Sequence, residues 1–215
     1  MIKSTDTTDR LSVSTLPSFA TKWLIPKLSL FHKINPQLSI RVHTSEDQVD
    51  FISQQIDCAV RFGAGHYPGL NVTLLTEDWF FPVCHPSLIK EALPLNDYEA
   101  IANFNLLHDV VVACESNVSW QYWAKEVGVD HLDFNRGLFY NQADYAIQAA
   151  ISAQGVALGR SSLVTDDIQS GLLVPLFNHK IKSSYNYYFV HPHEYAQNQG
   201  LVQFRDWIVE QMGSG

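Results

Sequence analysis

Leu38, Ile40 and Val42 alternate with Ser39, Arg41 and His43. That period of two marks a strand with one buried face. Before it, Leu24, Leu28 and Phe31 follow the 4,3 spacing of an apolar helical stripe. Pro26 should start or kink the regular part of that helix, and Asn35-Pro36 should end it. Residues 11–14 read as a first strand. Leu16-Pro17-Ser18-Phe19-Ala20 reads as the turn into the helix, with Ser18 placed to cap it. Residues 49–56 read as a short helix and residues 58–62 as a strand, followed by a long glycine-bearing loop, Gly63-Ala64-Gly65-His66-Tyr67-Pro68-Gly69. The order β-α-β-α-β implies a parallel sheet with helical crossovers.

A second series follows. Residues 80–84 read as a strand broken by His85-Pro86, and Leu106-Leu107 as another. Residues 120–127 read as a helix stopped by Gly128. Residues 134–140 read as a strand, 143–153 as a helix, 156–158 as a strand and 163–170 as a helix. Residues 185–191 read as a strand closed by Pro192. Residues 201–211 read as a last helix with Leu201, Phe204 and Ile208 on one face. The pattern predicts an α/β chain of 215 residues, large enough for one domain or two small lobes.

Charge narrows the functional classes. The formal net charge is -8, so the chain carries no basic footprint for phosphates. No apolar run of the roughly 18 residues needed to span a bilayer occurs, which argues against a membrane partner. The polar start at Met1-Ile2-Lys3-Ser4 lacks an apolar signal segment, which suggests a cytoplasmic protein. Residues 1–10 and 213–215 read as flexible ends or residues added for expression. Cys58, Cys84 and Cys114 stand far apart with no C-x-x-C pair, so free buried thiols are expected rather than a disulfide framework or zinc site.

Catalysis finds little support. Cys84 and His85 are neighbours on a strand and point to opposite faces. His191 and His193 are separated by Pro192 and would be two metal ligands without a third. No nucleophile-elbow, phosphate-loop or metalloprotease motif is present. No catalytic residue, metal or cofactor is expected.

Seven segments, in this order and spacing, carry a resemblance. They are Ser18-Phe19-Ala20-Thr21-Lys22-Trp23-Leu24-Ile25-Pro26-Lys27-Leu28, Ile56-Asp57-Cys58-Ala59-Val60-Arg61-Phe62-Gly63, Tyr67-Pro68-Gly69-Leu70, Pro82-Val83-Cys84-His85-Pro86, Trp120 with Trp123, Gln154-Gly155-Val156-Ala157-Leu158, and Tyr187-Tyr188-Phe189-Val190-His191-Pro192. Together the chain resembles the effector-binding domain of LysR-type transcription regulators, in the branch of the glycine-cleavage and beta-lactamase regulators.

The resemblance implies two Rossmann-like lobes joined by two crossover strands, as in type II periplasmic binding proteins. Lobe I would take residues 11–80 and 185–212, and lobe II residues 81–184. It implies a small effector, an amino acid or a cell-wall peptide fragment, held in the interlobe cleft. It also implies a homodimer, a tetramer at full length, and DNA binding only through an N-terminal winged helix-turn-helix that these residues do not resemble. A periplasmic-type solute-binding protein for a small amino acid or organic anion would share the fold and is the alternative.

Candidate ligand groups follow from chemistry at the strand-to-helix turns. Thr15 and Ser18 bear hydroxyls beside a helix start, where backbone donors and the helix dipole favour an anion. Asn141 or Gln142 can donate an amide N–H and also cap the next helix. Arg61 can pair with a ligand carboxylate or with a nearby acid. Phe62 offers an apolar cover, Gly63 a close backbone approach, and His66 stands in the same loop. The branch has tryptophan where this chain has Tyr67. Trp120 is a ligand candidate, although core packing is the commoner role of such a residue. Tyr187 resembles a position whose hydroxyl lines the cleft in the beta-lactamase regulator.

Overall fold

The computed structural model describes residues 9–90, 93–110 and 116–213. Chain contacts divide it into two compact units. The chain passes from one to the other between Thr76 and Glu77 and returns between Tyr185 and Asn186.

The first unit is a five-stranded sheet in the order β2-β1-β3-β11-β4. Its strands are β1 (Asp9–Thr15), β2 (Leu38–Thr44), β3 (Cys58–Gly63), β4 (Leu70–Thr76) and β11 (Asn186–Pro192). β1 runs parallel to both β2 and β3, with Val13 opposite Val42 and Cys58. β11 is antiparallel to β3 and β4. The alternation predicted for residues 38–43 places Leu38, Ile40 and Val42 inward, as an edge strand with one covered face requires. β1 is buried on both faces, Ser12 and Ser14 included.

The helical run after β1 has three parts. α1 (Pro17–Phe19) passes through a π-helical turn, Ala20–Leu24, into α2 (Ile25–Ile34). The wide turn places Pro26, which has no N–H to donate, in the first turn of α2. The predicted kink thus takes the form of a π-bulge. Ser18 does not cap the helix as expected. Pro17, pre-set for the first helical position, moves the start two residues earlier and makes Leu16 the N-cap. Asn35 ends α2, its N–H donating to the Phe31 carbonyl at 3.0 Å. An aromatic cluster of Phe31, Phe189, Phe204 and Trp207, its rings edge-on or tilted, joins α2 and β11 to α6 (Gln199–Gly213).

Residues 49–56 do not form the expected helix. The Asp50 carboxylate accepts from the N–H of Ile52 and Ser53. Gln55 then turns left-handed at φ 54°, so helical geometry stops after one turn. Strand β4, which the expected elements omitted, follows the glycine-bearing loop.

The second unit orders its strands β10-β5-β8-β6-β7, with β9 also paired to β5. They are β5 (Trp79–Cys84), β6 (Leu106–Asp109), β7 (Leu138–Tyr140), β8 (Val156–Arg160), β9 (Val174–Pro175) and β10 (Ile181–Lys182). β6 is parallel to β7 and β8, whereas β5 is antiparallel to β8. The helices are α3 (Trp120–Val127), α4 (Ala143–Ile151) and α5 (Ser161–Gln169). The Ser119 hydroxyl caps α3 by accepting from Tyr122 N–H, and Gly128 ends it at φ 78°. Its buried face sends Trp120 and Trp123 into a core with Phe80, Ile101, Phe134 and Phe177. Removing either Trp ring would cost about 3–5 kcal/mol.

The strand expected at residues 134–140 is only β7. Phe134 instead turns into the core. Gly137 crosses against the Leu106 carbonyl at φ 133°, where a Cβ would collide with that oxygen.

Candidate functional site

In the first unit, the strand register brings several expected groups onto one sheet face. Thr15 lies opposite Val60, and Phe62 opposite Tyr187. With side chains alternating along each strand, Thr15, Phe62 and Tyr187 share that face. Phe19 from α1 and Phe62 flank the Tyr187 ring, each at a centroid distance of 4.9 Å. Tyr187 is fully buried. So is Thr15, and its hydroxyl has no hydrogen-bond partner among the described residues. A buried polar atom left so costs free energy unless a further molecule satisfies it. Ser18 is buried in the first helical turn, two residues beyond Leu16.

Three loop candidates fall elsewhere. Arg61 lies on the opposite sheet face, beside Tyr188 in the register. Its guanidinium donates to the carbonyls of Ser45 (3.0 Å), Glu46 (2.8 Å) and Asp47 (2.9 Å). It thereby fastens the turn after β2. Gly63 ends β3 where a Cβ would stand 2.6 Å from the Tyr67 hydroxyl. His66 is exposed.

In the second unit, Asn141 and Gln142 follow β7 directly. Asn141 is exposed and Gln142 half-buried. Gln142 is the N-cap of α4, yet its side chain makes no capping bond. Its amide is therefore not committed to the helix start. Trp120 is only 2% exposed, and its indole N–H donates to the Leu107 carbonyl at 3.1 Å. Packing and that bond hold it in the core of its own unit.

One polar cluster was absent from the expectations. Asp78 is fully buried at the start of α5. Its carboxylate accepts from the hydroxyls of Ser161 (2.7 Å) and Ser162 (3.0 Å) and from the N–H of Ser162 (3.0 Å) and Trp79 (3.1 Å). Its carbonyl accepts from Ser183 N–H at 2.9 Å. Apart from the neighbouring Trp79, the partners stand more than eighty residues from Asp78 along the chain, so no local motif marks the site.

Cys114 lies outside the described residues, and the two described thiols are poorly suited to nucleophilic work. Burial pushes Cys84 up to about 12 and Cys58 well above the ordinary thiol range, with Asp57 adding repulsion. Among the described residues no group of three metal-ligating side chains occurs, and no helix is long and apolar enough to cross a membrane.

Comparison with known proteins gives this arrangement its class. The LysR substrate binding domain family matches residues 4–213, and the chain belongs to that family. It is 35% identical over 199 residues to the glycine cleavage system transcriptional activator of Escherichia coli (strain K12), covering 93% of this chain and 64% of that protein. It is 27% identical over 201 residues to the HTH-type transcriptional activator AmpR of Rhodobacter capsulatus, covering 94% of this chain and 66% of that protein. The chain thus spans just under two thirds of these relatives. The solved effector domain of AmpR from Pseudomonas aeruginosa superposes with a TM-score of 0.76 at 23% identity, covering 96% of each chain. The regulatory domain of CrgA from Neisseria meningitidis gives 0.71 at 20% identity, covering 95% of this chain and 98% of that one. The fold is that of LysR effector-binding domains, of the type II periplasmic-binding-protein kind.

Proposed function

We propose that this chain is the ligand-sensing part of a cytoplasmic LysR-type transcription regulator and that it performs no catalysis of its own. The family match over residues 4–213 carries this reading. The relatives' names also favour it over a solute-binding protein for transport, because they are transcriptional activators. The ligand is a small effector, an amino acid or a cell-wall peptide fragment; Thr15, Ser18 and Tyr187 are the candidate contacts on the first unit taken by itself, and Asn141 and Gln142 those on the second. The unpartnered Thr15 hydroxyl supports a polar ligand group at the first set. The place of Gln142 at the N-terminus of α4, beside Asn141, supports the second. A winged helix-turn-helix in the full-length protein contacts DNA, and the sensing parts pair as homodimers and assemble as tetramers. Effector binding then shifts transcription by its differential affinity for two states of the regulator, a coupling of roughly 1–3 kcal/mol.

A thermal-shift screen of amino acids, small organic acids and muropeptides tests this reading. A ligand at a hundred times its Kd stabilises the folded chain by about 2.7 kcal/mol, which raises Tm by roughly 5–10 °C for a chain of this size. The double substitution Ser18→Ala with Gln142→Ala should abolish that rise while leaving the Tm without ligand close to the starting value. An undiminished rise in the double variant would remove these residues from the effector site.

A further inference from the structure

The second unit holds a cavity of about 250 Å³ at the carboxyl end of β6 and β7 and the start of α3. Its apolar lining includes Leu107, Val118, Trp120 and Leu158. One wall is Phe139, whose ring stacks on His108 at a centroid distance of 4.2 Å and an interplanar angle of 12°. His108 is buried, with Nε2 3.0 Å from the Arg136 carbonyl oxygen, so the ring behind Phe139 is fixed. Phe139 itself is 55% exposed. A stacked pair with one member open to the cavity is a ready platform for a third planar ring. The polar side chains of the lining are those of His108, Asp109, Ser119 and Gln121, and among the described residues the lining contains no lysine or arginine.

We propose that this cavity is a second ligand site, independent of the effector groups named above, and that it takes a small neutral aromatic bearing an N–H or O–H donor. Size supports a ring: an apolar cavity of about 150 Å³ already accommodates benzene. Charge sets the sign of the polar end. The Asp109 carboxylate accepts a donor and repels an aromatic anion, and among the described lining residues no lysine or arginine opposes that repulsion, only the partial charge at the start of α3 and the His108 ring held behind Phe139. Trp120, expected on sequence to touch the effector, lines this cavity.

Phenol is the probe and benzoate the counter-probe, each titrated into the full 215-residue chain and followed by 1H–15N correlation spectra. Phenol should shift the Trp120 side-chain N–H and the amides of Leu107, Ser119 and Phe139 saturably, with a Kd near or below about 1 mM. Benzoate should leave them unmoved. Phe139→Ala, which alters an exposed ring, and Asp109→Asn should each weaken phenol roughly tenfold or more with spectral dispersion retained. The Ser18→Ala/Gln142→Ala chain should bind phenol unchanged, which separates this site from the effector reading. No saturable shift, shifts mapping elsewhere, benzoate bound as tightly as phenol, or undiminished binding in both single variants would overturn the proposal.

Discussion

Replacing Asp78 by alanine should be among the most damaging single changes in the second unit. The carboxylate accepts four hydrogen bonds, two from serine hydroxyls and two from the backbone N–H groups of Ser162 and Trp79. The hydroxyls can turn to other acceptors, and Trp79 N–H also reaches the Ser161 hydroxyl at 3.1 Å. Ser162 N–H sits in the first turn of α5, where no intrahelical acceptor exists. Leaving such buried donors unsatisfied costs about 1–3 kcal/mol each. Loss of the negative group at the helix start adds roughly 0.3–2 kcal/mol. With Ser162 N–H stranded, the expected total is about 1–5 kcal/mol. At roughly 2–4 °C per kcal/mol for a chain of this length, Tm should fall by about 3–20 °C. Asp78→Asn retains one acceptor oxygen and should lose about half as much. Differential scanning calorimetry of the two variants supplies the measurement. A fall in Tm of less than about 2 °C for the alanine variant would show that the carboxylate is not holding these donors.

Two further outcomes concern titration and reactivity. At pH 8, raising a thiol from its ordinary value of 9.0 to about 12 lowers its thiolate fraction about a thousandfold. Iodoacetamide should therefore label Cys84 and Cys58 only after unfolding, and peptide mapping showing rapid labelling of either in the native chain would refute the burial argument. The Asp50 carboxyl is held below its ordinary range, first by the backbone N–H of Ser53, then by the Ser53 side chain. Because the folded value is the lower one, its support of the 50–55 turn is complete above the unfolded carboxyl value and fades as pH falls through the folded one. A carboxyl titration by NMR with a midpoint at or above that of a free aspartate would contradict this.

Periodicity made most of the architecture legible. Leu38, Ile40 and Val42 announce an edge strand because only one of its faces is covered. Gly128 announces the end of α3 because its left-handed conformation favours glycine. Residues 49–56 misled because apolar spacing carries no record of Asp50 seizing two backbone N–H groups or of Gln55 turning left-handed. The signal for β4 was present in Leu70, Val72 and Leu74, but Val72 and Leu74 are exposed, so their alternation does not report the core.

The site was less legible than the fold. Strand spacing relates Thr15, Phe62 and Tyr187 to one face only once the register of β1, β3 and β11 is known. The carbonyl clasp of Arg61 depends on a turn's geometry that charge alone does not encode. Pro17, by contrast, could have corrected the Ser18 cap from sequence, since proline favours the first helical position.

The order of β11 between β3 and β4 bears on biosynthesis. Residues 77–185 are contiguous and can mature while translation continues, in keeping with the tendency of domains to fold as they emerge. The first sheet must wait, its gap open, until Asn186–Pro192 leaves the ribosome and the closing helix brings Phe204 and Trp207 to the aromatic cluster. A stop codon anywhere from Asn186 to Trp207 would therefore strand the beginning of the protein rather than merely shorten its end.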